Sequence, residues 1–267
     1  MVNLTRIYTR TGDDGTTGLG DFGRTSKDDP RLVAYADTDE ANAALGVAML
    51  HAGERTDIAE VVRRIQNELF DVGADLSLPL RASYEYEPLR VTQEWIDDLE
   101  ADCDRFNEGL PTLRSFILPG GGELSAHLHV ARTVARRAER AAWTAVAVHG
   151  TDPAQEGAEK GTGGVSVLPG KYLNRLSDLL FILARSAAGA EGTCCGSRVA
   201  GATSSRSVVA GPARRGEARA QGPSATECPE RMEHRLRDPA PPSARAAASP
   251  ARPAARARPP GAAPRRA

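Results

Sequence analysis

ARTVARRAER, residues 131–140, is the stretch on which the reading of the fold turns. Ala131, Val134, Ala135 and Ala138 fall three and four residues apart, and Ala142 prolongs the stripe, so together they make one apolar face of a helix. Arg132, Arg136 and Arg140 recur every fourth residue and stack along a second face, with Arg137 and Glu139 on its flanks. Like charges at that spacing destabilise a helix by roughly 0.2–0.5 kcal/mol per pair. The ridge therefore calls for an anion against it, or else it is a solvated basic face. The ten residues alone leave both readings open.

Working outward, the helix starts near Glu123 and ends at His149. His127 and His129 are two apart, point to different faces and cannot easily share a metal. Upstream lies SFILPGGG at 115–122, a short apolar run closed by turn residues. Downstream, a glycine-rich loop runs to about residue 170. A last helix then begins near Lys171, with Tyr172, Leu173, Leu176, Leu179, Leu180 and Leu183 facing a core. Asn174, Arg175 and Asp178 form its polar side, and Asn174 either contacts a ligand or faces water.

Three helices precede these. Asp28 and Asp29 before Pro30 mark a helix start, with Val33, Ala36, Ala41, Ala44, Leu45 and Ala48 as the expected buried face. Asp37, Asp39, Glu40 and Asn42 cluster on that helix, either as exposed acid or with one carboxylate holding an arginine. The second helix is expected to be capped by Thr56. It carries Ile58, Val61, Val62, Ile65, Leu69, Val72 and Leu76 at helical spacing and ends before Pro79. Residues 77–91 form a connection in which Tyr84 and Tyr86 are expected to pack. The third helix starts at Thr92 with Ile96, Leu99, Cys103 and Phe106 inward, and Gly109 and Pro111 end it. Cys103 sits in that stripe as a core residue rather than a nucleophile. Five helices with short connections predict an all-α bundle.

The N-terminal stretch IYTRTGDDGTTGLGDFGRTSK, residues 7–27, has no helical period. Threonine hydroxyls, Arg10, Lys27 and glycines at 12, 15 and 18 suit a loop whose backbone N–H groups approach a polyphosphate. A flexible arm of turn-forming residues is the alternative. GLGDFG at 18–23 matches the dinucleotide-binding glycine pattern, but that pattern needs a strand before it and a helix opening directly after it. Pro30 and the helical periods that follow make it a decoy. A Walker A sequence is absent.

The chain has 267 residues and a net charge of −1. That balance conceals an asymmetry: residues 1–185 hold 20 Lys+Arg against 29 Asp+Glu, and residues 186–267 hold 14 against 6. The last 82 residues lack Phe, Tyr, Trp, Ile, Asn and Lys and are mostly Ala, Arg, Pro, Gly and Ser. Such a segment cannot bury enough apolar area to offset its ordering entropy, so disorder is expected there. A nucleic-acid-binding tail is the functional alternative, though no aromatic stacking residue accompanies the arginines. No apolar run is long enough to span a bilayer and no secretory signal opens the chain. Cys194, Cys195 and Cys228 lack metal-type spacing, which fits a reducing cytoplasm.

Seven segments occur in order: YTRTGDDGTT, SKDDPR, DTDEANAALG, IQNELFDVGADL, SFILPGG, HVARTVARRAER and YLNRLSDLLFILAR. Together they resemble the PduO-type ATP:cob(I)alamin adenosyltransferases over residues 5–185, and their joint occurrence is far more specific than any one of them. The resemblance implies a five-helix bundle, usually a trimer with active sites between subunits, and it tips the arginine ridge toward function. It further implies that the arm wraps ATP with Mg²⁺ through Thr9, Arg10, Thr11, Gly12, Thr17, Gly18 and Lys27. A neighbouring subunit would complete the site through Arg136, Arg137, Ala138, Glu139 and Arg140, with Asn174 as a last-helix ATP contact. By the same resemblance Arg132 pairs with Asp39 across the subunit boundary, and Phe116 lies beneath the corrin.

The implied reaction moves the 5′-deoxyadenosyl group of ATP onto cob(I)alamin and releases triphosphate. Co(I) is the nucleophile, so no Ser, Cys or His base is needed. The protein must orient C5′ against cobalt and stabilise the leaving charge, which Arg, Lys and backbone N–H groups do. A corrinoid reductase and a cobalamin-dependent acceptor enzyme are the implied partners; membrane and nucleic acid are not. Family sequence stops near Arg185, where a frame-shift or a divergent terminus would produce the abrupt change. The rival functional reading is a non-catalytic ATP- or corrinoid-binding bundle. A diiron bundle is disfavoured because no Glu-x-x-His pair occurs in the body.

Overall fold

The computed structural model describes residues 8–192, with side chains as far as Gly189. A hairpin opens it: β1 (Thr16–Gly18) pairs antiparallel with β2 (Arg24–Ser26), Thr17 opposite Thr25. Five helices follow: α1 (Pro30–Met49), α2 (Thr56–Ser77), α3 (Gln93–Asn107), α4 (Glu123–His149) and α5 (Leu168–Gly192). In the bundle α4 packs against both α1 and α5, α2 lies on α1 and touches α5, and α3 rests on α5. The expected five-helix all-α architecture is what forms.

The core is aliphatic. Leu45, Ile58, Ile65, Leu128, Leu173, Leu176, Leu179, Leu180 and Leu183 are fully buried, and Ala34, Ala131, Ala135 and Ala138 let α1 and α4 come close. Every apolar position expected inward on α2 and α5 is buried. α1 differs. Val33 and Ala36 turn outward, and the inward stripe is Arg31, Ala34, Thr38, Ala41, Asn42, Leu45 and Ala48. Three polar residues hold that stripe, so hydropathy alone chose the wrong register at its start. Thr38 returns its hydroxyl to the Ala34 carbonyl (2.8 Å), and Asn42 donates to the Gln66 carbonyl of α2 (3.0 Å).

Helix ends differ in detail. Asp29 caps α1 by accepting the Arg31 amide (2.8 Å). Thr56 does not cap α2; it is the first helical residue, and the preceding Arg55 makes no side-chain cap. Arg55 instead binds Asp57 and reaches the Ser186 carbonyl (2.8 Å). That contact belongs to α5, which runs past the expected end at Arg185 to Gly192, with Gly189 out of helical geometry (φ 68°). The disorder expected of residues 186–267 fails for 186–192, which continue α5, and the rest of that segment lies outside the described residues. Tyr84 packs as expected, donating to the Pro79 carbonyl (3.0 Å) under Arg90, whereas Tyr86 stands in solvent. Cys103 is half-buried against the core, and burial pushes its thiol up to about 11, which removes it as a nucleophile.

Candidate active site

The N-terminal arm is a built loop rather than a free one. Its glycine motif is the hairpin connection: Leu19 donates to the Gly23 carbonyl (2.8 Å), and no helix opens after it. Asp21 is the hub. It accepts the amides of Gly23 (2.9 Å) and Gly161 (2.7 Å) and pairs with Arg81 (3.1 Å), itself mostly buried. A Cβ on Gly23 would lie 2.3 Å from the Gly161 nitrogen, so the hairpin and the α4–α5 loop touch backbone to backbone there. Arg31, 1% exposed, donates to the Gly163 carbonyl of the same loop. At the arm's base, Asp29 also meets the Thr25 hydroxyl (2.8 Å) and His149 Nε2 (3.0 Å). Burial pushes the Asp29 carboxyl up, but the Arg31 amide, the Thr25 hydroxyl and His149 outweigh it, leaving its pKa below the ordinary carboxylate value.

The residues expected to meet ATP lie along the open side of this loop. Thr9 and Thr11 share a hydroxyl contact (2.9 Å), and Arg10 is held at φ 62°, a left-handed conformation unusual for a side chain of that size. Lys27 is exposed and folds over Gly12, where an added Cβ would lie 3.0 Å from its Nζ. Nothing stands within 4 Å of a Cβ placed on Gly18, so no protein contact requires a glycine there. Arg24 braces the arm from beneath through the Thr11 carbonyl (2.7 Å) and Asp14 (3.5 Å).

The α4 ridge divides its arginines. Arg137 is committed to α1 of the same chain through Asp37 (3.2 Å) and Glu40. Arg136 and Arg140 are exposed, and Arg140 donates only to the Arg136 carbonyl (3.1 Å). Arg132 is half-buried; burial, and then Arg136, lower its pKa, and its guanidinium makes no ion pair among the described residues. Asp39 is exposed on α1 and likewise unpaired among the described residues, so the two expected partners do not meet within one chain. Ala138 is buried at the α1–α4 contact. Glu139 accepts from Asn174 of α5 (3.0 Å), which ties two expected ATP contacts together.

Phe116 is 94% exposed, in the loop before α4. Both ends of that loop are pinned: Arg185 donates to the Pro111 carbonyl (2.5 Å) and Ser125 to the Gly120 carbonyl (2.5 Å). Gly120, Gly121 and Gly122 take φ of 154°, 90° and 113°, a turn into α4 that side chains rarely adopt. The loop thus holds a large apolar ring out in solvent. Among the described residues no three His, Cys, Asp or Glu side chains converge as a metal site.

Arm and ridge of one chain stand apart. His149, where the arm's base is tied, is nine residues beyond Arg140 and seventeen beyond Arg132. At ~1.5 Å per residue these are roughly 13 and 25 Å along the helix axis. No residue from Thr9 to Lys27 shares a hydrogen bond or ion pair with Arg132, Arg136, Arg137 or Arg140.

Sequence reading missed Asp21, Arg31, His149 and Arg185 as supports. Asp21 lay inside the discarded glycine motif, and SKDDPR placed Arg31 in plain view without saying that it is buried. His149 and Arg185 carried no signal beyond ending their helical patterns.

Comparison with known proteins identifies the family. The family described as cobalamin adenosyltransferase matches residues 7–187. A corrinoid adenosyltransferase of Mycobacterium tuberculosis (strain ATCC 25618 / H37Rv) is 61% identical over 186 residues, covering 70% of this chain and 90% of that protein. A cobalamin adenosyltransferase of Cupriavidus metallidurans is 41% identical over 182 residues, covering 68% and 88%. Among solved structures, a phenylalanine-to-histidine variant of the PduO-type ATP:corrinoid adenosyltransferase from Lactobacillus reuteri, complexed with cobalamin and ATP, superposes with a TM-score of 0.60. It shows 33% identity, covering 71% of this chain and 95% of that one. The chain belongs to the cobalamin adenosyltransferase family.

Proposed function

We propose that the protein transfers the 5′-deoxyadenosyl group of ATP to cob(I)alamin, forming adenosylcobalamin and releasing triphosphate. The observation that carries this reading is the pair of open cationic and apolar features, the α4 ridge and the projecting Phe116, set on a fold whose arm presents glycine and threonine to a polyphosphate. In the reaction the Co(I) electron pair attacks C5′, a Co–C bond forms, and the C5′–O bond breaks with its electrons leaving on triphosphate. Thr9, Arg10, Thr11, Gly12, Thr17, Gly18 and Lys27 hold the phosphates. Arg136, Glu139, Arg140 and Asn174 complete the nucleotide site from a neighbouring subunit of a homotrimer, while Arg137, held by Asp37 and Glu40, and the buried Ala138 support that ridge instead of touching the ligand. Arg132 and Asp39 pair across that boundary, satisfying two groups that are unpaired among the described residues of one chain. Phe116 covers the lower face of the corrin and excludes an axial ligand, so that cobalt is more easily reduced.

With no protein cage for a divalent cation among the described residues, Mg²⁺ would be held mainly by the triphosphate oxygens, as this hard cation commonly is. It would supply charge neutralisation of the leaving group. A cytoplasmic setting, a corrinoid reductase and a cobalamin-dependent acceptor enzyme complete the proposed context. No helix among the described residues is long and apolar enough to cross a membrane. The arginine-rich segment is assigned no part in the reaction, and sequencing the gene across codon 185 decides whether it arises from a frame-shift.

The test is incubation with ATP, Mg²⁺ and chemically reduced cobalamin, following the corrin spectrum. Conversion to the adenosylated product, sharply slowed in Arg132→Ala and Phe116→Ala, supports the reading. Binding of ATP and corrin with no conversion in the unmodified protein would instead identify a carrier or sensor.

A further inference from the structure

Arg132 and His129 lie one turn apart on α4 and meet the same aromatic ring on α5. The Arg132 guanidinium carbon stands 5.9 Å over the centre of Phe181. The His129 ring meets Phe181 edge-on, with centroids 6.1 Å apart and planes at 66°. His129 is 3% exposed, and its Nδ1, like Arg132 Nε, is buried without a hydrogen-bond partner. Two polar atoms are thus left unsatisfied around one phenyl ring, one at its face and one at its edge, and Arg132 is in no ion pair among the described residues. Unsatisfied buried groups cost stability, so their retention needs a reason.

We propose that Phe181, with His129 against its edge, is a positioning residue for Arg132, holding the guanidinium extended by its ring face so that its outer N–H groups stay free for an acceptor supplied from outside the chain. A carboxylate in the place of Phe181 would fix the same charge but consume those donors. An aromatic face attracts the cation and consumes none of them. Burial, and then the charge of Arg132, lower the pKa of His129, so the ring is neutral at neutral pH and adds no second cation beside the first. The arrangement fixes a direction for Arg132 before any partner arrives, which is the pre-organisation that a site assembled from two surfaces requires.

The kinetic consequence rests on the adenosyl-transfer reading, but the geometry does not, and two measurements keep them apart. In the first, single-turnover adenosylation of cob(I)alamin by ATP is followed at excess protein. Phe181→Leu should slow it about three- to tenfold, the range a partly desolvated cation–π contact supports. Phe181→Tyr, which keeps the ring, should recover most of that rate. In an Arg132→Met background, Phe181→Leu should cause no further loss. Equal losses in both backgrounds would show that Phe181 serves only packing and overturn the proposal. In the second, the Nε–H resonance of Arg132 is assigned by its disappearance in Arg132→Met. It should be shifted by the ring current of Phe181 and move to the position of an ordinary arginine in Phe181→Leu, with helicity unchanged by circular dichroism. An unmoved resonance would overturn the proposal. If the unmodified protein transfers no adenosyl group, the functional reading fails by itself and the resonance alone decides the positioning.

Discussion

Gly23→Ala isolates the coupling between the nucleotide arm and the α4–α5 loop. The added Cβ would lie 2.3 Å from the Gly161 nitrogen, 2.6 Å from its Cα and 2.7 Å from the Lys160 carbonyl carbon, all of them backbone atoms. Ordinary contact begins near 3.4 Å, so the two segments must part by about 1.1 Å. The Asp21–Gly161 hydrogen bond, now 2.7 Å, would then stretch to about 3.8 Å and be lost. A hydrogen bond to a charged group contributes about 1.5–3 kcal/mol. With ~1 kcal/mol of residual crowding, the docked arm loses roughly 3 kcal/mol. The loss is local, because the helical core does not pass through this contact. Hydrogen exchange at Gly161 and Leu19 should therefore speed up about a hundredfold, and ATP affinity should fall as the docked fraction drops. Gly18→Ala is the control. Its Cβ meets nothing within 4 Å, so exchange should be unchanged while ATP binding weakens through the ligand's own approach. Unchanged protection in Gly23→Ala, or arm opening in Gly18→Ala, would refute the reasoning.

Phe116→Ala removes a ring that is 94% exposed, so chemical denaturation should show a change within about 0.5 kcal/mol while adenosylation collapses. Leu176→Ala opens a cavity at a fully buried position and should cost about 2–5 kcal/mol in the same denaturation experiment. Asp29 has a folded pKa below its ordinary value of 3.8, so its contribution to stability is complete above that value and lost as pH falls through the lower one. The gap in melting temperature between the unmodified protein and Asp29→Asn should be constant from pH 7 to about 4 and close on further acidification.

The helical bundle was legible because α2 and α5 obey one rule without exception. Their apolar residues recur at helical spacing, and each of them is buried. α1 broke the rule for a physical reason. Its inward face includes Arg31, Thr38 and Asn42, each of which donates to a backbone carbonyl: Arg31 through one N–H to Gly163, Thr38 to Ala34 of its own helix and Asn42 to Gln66 of α2. Hydropathy ranks these residues as outward and Val33 as inward. The hairpin was illegible for a related reason: TTG and RTS are three residues each, too short for any alternation to register. The candidate site was chosen on residue types, since threonine, glycine and arginine suit phosphate chemistry. Its scaffold was not legible, because Asp21, Arg81 and Gly161 are far apart in sequence and their meeting depends on how α2, α4 and the arm converge. Regular spacing also could not distinguish Arg137 from its neighbours, since only the facing helix decides that it is neutralised.

That division of the ridge bears on where the nucleotide is completed. Arg137, paired with Asp37 and Glu40, is fixed electrostatically to α1 and raises the cost of moving α4 against it. Arg132, Arg136 and Arg140 share one helix face and none of them is in an ion pair among the described residues, the flanking Glu139 being taken by Asn174. Repulsion among them is tolerable in water, where screening is strong, but it turns into attraction once an anion arrives. The chain's own arm is tied to α4 at His149, beyond the far end of the ridge, and residues Thr9 to Lys27 share no hydrogen bond or ion pair with the ridge arginines. Under the proposed reaction, the arm of one subunit and the ridge of another would close over the same triphosphate. Assembly and nucleotide binding should then stabilise each other. ATP added to dilute protein should raise the trimer fraction in sedimentation velocity, and Arg136→Ala should abolish that linkage while leaving the melting temperature of the isolated subunit in place. A trimer fraction insensitive to ATP at all concentrations would require arm and ridge to act on separate ligands.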